Sequence, residues 1–146
     1  MLAENGPRSV SVLVLVAVVL AVTAALATAQ ESATVPARAS VDAWLALVDN
    51  GNYAASWDQA AGGFKNIIPV ETWSTAVAGV RGPLGPVKSR ALKSATTTTT
   101  VPGGPDGEYV IFQFNTTFDQ KASSVETVTA AKEKDGIWRV AGYFVR

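Results

Sequence analysis

Apolar side chains repeat at two different periods in this chain, and the switch between them constrains the fold more than any single motif. In the first half, Val41, Trp44, Leu45 and Val48 fall at i, i+3, i+4 and i+7, one stripe of a helix. Pro36 suits the first position of that helix, and Asn50-Gly51 stops it. Asn52 can cap a second helix with Tyr53, Trp57 and Ala61 on one face, ended by Gly62-Gly63. Pro69 opens a third, in which Val70, Trp73 and Val77 align before Gly79 to Gly82 close it.

From residue 87 the period becomes two. Val87 to Thr100 is rich in threonine and reads as a strand, and Val101 to Gly107 is a Pro/Gly turn region. Val110, Phe112, Phe114 and Phe118 alternate with polar residues across Glu108 to Phe118, a half-buried strand. A third strand covers about Ser123 to Glu133, and Asp135-Gly136 turns tightly into a fourth. A two-residue turn pairs Thr127 with Phe144 and Thr129 with Gly142. It puts Val125, Thr127 and Thr129 on the core face with Trp138, Val140 and Phe144. With a turn at Gln120-Lys121, Phe112, Phe114 and Phe118 join them. The open face then carries Ile111, Gln113, Asn115, Glu126, Val128, Arg139 and Tyr143. The expected architecture is α+β: three short N-terminal helices packed on a curved, four-stranded antiparallel meander.

Residues 1–29 read as a leader rather than as fold. A polar start with Arg8 and Glu4 precedes the apolar run Val10 to Ala27, and Ala27-Thr28-Ala29 offers an A-x-A cleavage site. The run, at roughly 18 residues, is also long enough to remain as a membrane anchor. Residues 30–35 are expected to be a linker and residues 36–146 a single domain, about 117 residues counted from the cleavage site and sufficient for one core. Twelve basic and twelve acidic residues balance, which argues against a nucleic-acid partner. The chain has no cysteine and no histidine. That removes disulfides, thiol nucleophiles, the Ser-His-Asp triad and imidazole metal ligands. No cofactor, metal or catalytic residue is expected.

Several blocks carry a family resemblance: Val48 to Trp57, Arg81-Gly82-Pro83-Leu84-Gly85, Ser89-Arg90, Pro105 to Val110, Glu126-Thr127-Val128 and Trp138 to Tyr143. From about Ala43 to Arg146 the chain resembles the small exported bacterial proteins grouped as domain-of-unknown-function family 4019. The order of elements is similar to the cone-shaped nuclear transport factor 2-like and cystatin-like folds. The resemblance implies a cell-envelope location, periplasmic or secreted, and brings no established activity.

Candidate site residues follow from chemistry. Glu126 sits mid-strand in an otherwise uncharged segment. It is either a general base or ligand contact, or a carboxylate on the open face paired to Arg90 or Arg139. Arg81 and Arg90 flank the Gly-Pro-rich crossover, as anion ligands or as anchors of the crossover itself. Tyr53, Trp57, Trp73 and Trp138, with Arg90 and Glu126, are the candidates for lining a pocket in the cone; the same tryptophans also suit a plain core. Ile111, Gln113, Val128, Arg139 and Tyr143 are the candidate interface. Three functions are open: a non-enzymatic module that binds itself, an envelope protein or a small apolar ligand; a carboxylate-based enzyme or small-molecule binder; and an anchored structural envelope protein. Membrane contact follows only if the leader is retained.

Overall fold

The computed structural model describes the backbone of residues 9–146 and the side chains of residues 21–146. The charged start of the leader, residues 1–8, lies outside the described residues. Two compact units divide between Ser32 and Ala33, and the second contains the C-terminal part of the first helix and every later element. Helices α1 (Ser9–Asp49), α2 (Tyr53–Asp58), α3 (Gly62–Ile67) and α4 (Val70–Leu84) precede strands β1 (Val87–Thr98), β2 (Glu108–Phe118), β3 (Lys121–Lys132) and β4 (Trp138–Val145). The strands form one antiparallel open sheet in the order β1-β2-β3-β4. Among the described residues no helix is long and apolar enough to cross a membrane.

Three local differences from the sequence reading have physical causes. Residues 30–35 are helical, and Pro36 lies inside α1 rather than at its start. Proline leaves the carbonyl four residues back, at the exposed Ser32, without its helical donor, and solvent can take that role. The Gly62-Gly63 pair opens a fourth helix, α3, rather than closing the second, because the Gly62 amide is bound by Glu133 Oε1 at 2.7 Å. Helix α4 runs through Gly79 and Gly82 to Leu84. Its last turn carries the buried Arg81, whose tertiary contacts override the weak helix propensity of glycine.

The helical stripe reads as the periodicity requires. Ala37, Val41, Trp44, Leu45 and Val48 are all buried, and with Trp73 and Val77 of α4 they cover the sheet. Helix α1 ends in a Schellman motif: Asn52 N–H donates to Leu47 O (2.8 Å) and Gly51 N–H to Val48 O (3.0 Å). Gly51 there holds φ +75°, a conformation that L side chains rarely adopt.

The sheet register sorts the side chains into rows. The inner rows are Ala95–Phe112–Val128–Tyr143 and Leu92–Phe114–Glu126–Val145, followed by Arg90–Thr116–Ser124. The outer rows are Thr96–Ile111–Thr129–Gly142, Ser94–Gln113–Thr127–Phe144 and Ala91–Asn115–Val125. Phe112, Phe114 and Phe118 therefore face the core, as expected, and Thr127 does pair with Phe144. The face expected for β3 is reversed: Ser124, Glu126, Val128 and Ala130 point inward, while Val125, Thr127 and Thr129 point out. The cause is a hairpin turn one residue longer than expected: Glu133 N–H donates to Ile137 O at 2.9 Å, so the inward Trp138 and Val140 pair with Lys132 and Ala130. A one-residue bulge at Ala141 then restores the pairing of Thr129 with Gly142 and of Thr127 with Phe144. Trp138 and Val140, before the bulge, point inward; after it Tyr143 points inward and Phe144, 60 % exposed, points out.

Candidate functional site: a buried ion-pair network

Six side chains, each from a different element, meet where the C-terminal end of α1 crosses the sheet. Asp49 comes from α1, Arg81 from α4, Arg90 from β1, Thr116 from β2, Glu126 from β3 and Tyr143 from β4 completes the group. Glu126 is fully buried. Its Oε1 accepts from Arg90 Nε at 2.7 Å and from Thr116 Oγ1 at 2.6 Å. Its Oε2 accepts from Tyr143 Oη at 2.5 Å and from Arg90 Nη2 at 3.2 Å.

Arg90 bridges this carboxylate to a second one. Its Nη1 donates to Asp49 Oδ2 at 2.7 Å and its Nη2 to Asp49 Oδ1 at 2.9 Å, a two-pronged pair. Arg81 Nη2 donates to the same Oδ1 at 2.8 Å and Arg81 Nη1 to Tyr143 Oη at 3.3 Å. The Arg81 guanidinium also lies 5.0 Å from the centre of the Phe118 ring, within cation–π range. Arg81 Nε and Ser124 Oγ are buried without a hydrogen-bond partner. Two cations face two anions, so the cluster is neutral as a whole.

Its protonation follows from this geometry. Burial opposes the charge on Asp49, but the hydrogen bonds from Arg90 and then Arg81 outweigh it, and the carboxyl is held below its ordinary 3.8. Burial is also the leading effect on Tyr143. The charge of Glu126 and the hydrogen bond to it add to it, and the phenol is pushed well above its ordinary 10.0 despite Arg81. Burial works against Arg90, yet its bonds to Asp49 and Glu126 raise it further. The depressed Asp49 contributes stability that is full above 3.8 and drains as pH falls below it. The raised Tyr143 contributes stability that is full below 10.0 and is lost as pH rises beyond it. Melting temperature against pH should therefore show an acid and an alkaline limb. Asp49→Asn should make the first shallower and Tyr143→Phe the second; limbs of unchanged slope in both variants would refute the assignment.

Chemically the cluster is a closed lock. A carboxylate offers about four lone-pair sites, and four donors surround the carboxylate of Glu126. Arg90 spends its Nε and both terminal nitrogens on protein carboxylates, which leaves no two-pronged face for a foreign anion. Three clefts lie elsewhere on the fold, and Glu126 lines none of them. A cleft of about 520 Å³ lies between Ser40, Ala43 and Leu47 of α1 and Trp138 to Val140 of β4. A second, about 420 Å³, lies between Phe64 and Ile67 of α3 and the loop before β2. The third, about 190 Å³, separates Trp73, Val77 and Val80 of α4 from Tyr143 to Val145.

The candidate residues thus divide. Arg90 and Glu126 meet, but inside the fold and not on an open face. Trp73 joins an aromatic chain from Phe64 (5.0 Å between ring centres) through Trp44 (5.8 Å) to Tyr143 (5.4 Å). Trp57 Nε1 donates to Ile68 O at 2.7 Å, and Tyr53 packs on the core beside it. Trp138 is buried and lines only the first cleft. Of the interface candidates, Ile111, Gln113 and Arg139 do lie on the outer face, whereas Val128, fully buried, and Tyr143 point inward. Thr116 and the joint role of Asp49 and Arg81 were missed. One signal was available: Asp49 is an acid at a helix C-terminus, where the dipole disfavours it and no basic residue occupies the last turn.

Residues 40–143 match the family described as a protein of unknown function, DUF4019. No curated protein matches the chain.

Proposed function

The chain belongs to the DUF4019 family of proteins of unknown function, and from that premise we propose that it is an exported, non-enzymatic binding domain that pairs with a second copy of itself. The observation that carries this reading is the outer face of the sheet. Its central rows, Thr96–Ile111–Thr129–Gly142 and Ser94–Gln113–Thr127–Phe144, contain no charged residue. Arg139 stands at one corner, already held by Glu133 at 2.6 Å and Asp135 at 2.9 Å. Such a face laid on its own copy brings no like charges together, and a two-fold interface requires that kind of self-complementarity. Threonine and glutamine supply hydrogen bonds, and Phe144 supplies an exposed aromatic anchor.

The apolar leader and the absence of cysteine support a bacterial envelope location, periplasmic or secreted, with membrane contact only where the leader is kept. The helices covering one side of the sheet support the cone-shaped, nuclear transport factor 2-like reading of the fold. The saturated carboxylate of Glu126 supports binding over catalysis.

The cysteine-free chain makes the test simple. Thr127→Cys, exported from a bacterial host, should form a disulfide-linked dimer on a non-reducing gel, and Thr127→Lys should run as a monomer in native mass spectrometry. A monomeric wild-type chain at about 100 µM, with no disulfide from Thr127→Cys, refutes the proposal.

A further inference from the structure

The two edges of the sheet are not equivalent. Edge strands expose unpaired backbone groups, and proteins blunt them with charge, irregularity or cover. Strand β1 is blunted: it carries Lys88, Arg90 and Lys93, and its register shifts twice, between Val87 and Ser89 and between Leu92 and Ser94. Strand β4 is covered only at its first half, where Ala61 N–H donates to Val140 O at 2.8 Å.

Past the Ala141 bulge the edge changes character. Val125 and Arg146 exchange both backbone hydrogen bonds, at 2.9 and 3.0 Å. Alternation in an antiparallel ladder then makes Thr127–Phe144 a bonded pair and turns the N–H and C=O of Tyr143 and Val145 away from β3. Tyr143 to Val145 also line the apolar cleft between β4 and α4, whose other wall is Trp73, Ala76, Val77 and Val80. Val80 is 46 % exposed there. The segment Tyr143-Phe144-Val145 has no charge, no proline and no glycine.

We propose that this edge is a docking site for an extended, uncharged peptide segment of a partner protein, which adds to β4 as a fifth strand. The backbone groups of Tyr143 and Val145 demand a strand, because only an extended main chain presents donors and acceptors at their spacing. The cleft demands aliphatic side chains at alternate positions, and its 190 Å³ accommodates on the order of two. A second copy of this chain fits less well. Its own Tyr143 is tied to Glu126 and Arg81, so it could offer only Val145 to the cleft. The edge is separate from the outer face, and the two surfaces can be occupied together.

The test uses the full chain and a nine-residue amidated peptide of alternating valine and threonine with a lysine at each end. Its control is the same peptide with alternate backbone amides N-methylated, which keeps the side chains and removes strand pairing. With the unmodified peptide, hydrogen exchange at Tyr143 and Val145 should slow by about tenfold or more, and the control should leave it unchanged. Val145→Pro deletes an outward N–H but no ladder bond, and Val80→Glu charges the cleft wall at an exposed position; each should weaken binding by about tenfold. Thr127→Lys should bind normally, which separates this site from pairing through the outer face. No protection at about 1 mM peptide overturns the proposal. Equal protection by the control overturns it too, as does concentration-dependent protection of both amides without peptide, which would assign the edge to a second copy.

Discussion

Replacing Arg90 with methionine should lower the unfolding free energy by about 3–5 kcal/mol, the cost of stranding a buried charge. Glu126 has no exposed surface and draws two of its four hydrogen bonds from this one guanidinium. Thr116 and Tyr143 would remain as donors, but neither carries a compensating charge. The double variant Arg90→Met, Glu126→Met should recover most of the loss, because two apolar side chains of similar length replace both charges. Urea denaturation of the wild type, both single variants and the double variant gives the coupling directly. A single-variant cost under about 1 kcal/mol, the range of exposed ion pairs, would mean that Glu126 reaches water. Arg90 could then serve as an anion ligand after all. A large cost with recovery in the double variant fixes the pair as the clamp that ties α1 and β1 to the centre of the sheet.

The same pair shows why the sequence could be read so far and no further. The helical stripe Val41, Trp44, Leu45, Val48 and the alternation of Phe112 and Phe114 are local signals. Each states its own buried face, and the structure buries those residues. The face of Glu126 is not local. It depends on where β4 sits relative to β3: one extra residue in the hairpin turn sets Trp138 and Val140 opposite Lys132 and Ala130, and a second, the bulge at Ala141, restores the Thr127–Phe144 pair but turns Phe144 outward. Gly142, a glycine within a strand pattern, is the mark such a bulge leaves in sequence. The network adds a further difficulty: Asp49 and Arg90 are 41 positions apart and Arg81 and Tyr143 are 62 apart. No spacing rule connects them, and only the crossing of α1 over the sheet brings them together.

Trp44→Ala tests the remaining ambiguity, whether the aromatic residues are core or the lining of a pocket, and it should cost about 3–5 kcal/mol. Trp44 is 2 % exposed and lies between Trp73 and Tyr143, the two contacts that join α1 to α4 and to β4. Its Nε1 donates to Ser56 O at 2.8 Å, and Trp73 Nε1 donates to Ser56 Oγ at 3.0 Å, so Ser56 serves both rings. Trp44→Phe keeps most of the apolar contact but leaves the Ser56 carbonyl without this donor, and should cost about 1–3 kcal/mol. The ratio of the two losses separates packing from hydrogen bonding at one position. A pocket lining behaves otherwise: truncating a side chain that faces an open cavity removes few contacts and barely moves the urea midpoint. A small loss in Trp44→Ala would reopen a ligand site within the fold. The large loss expected here places the aromatic chain from Phe64 to Tyr143 in the structural core.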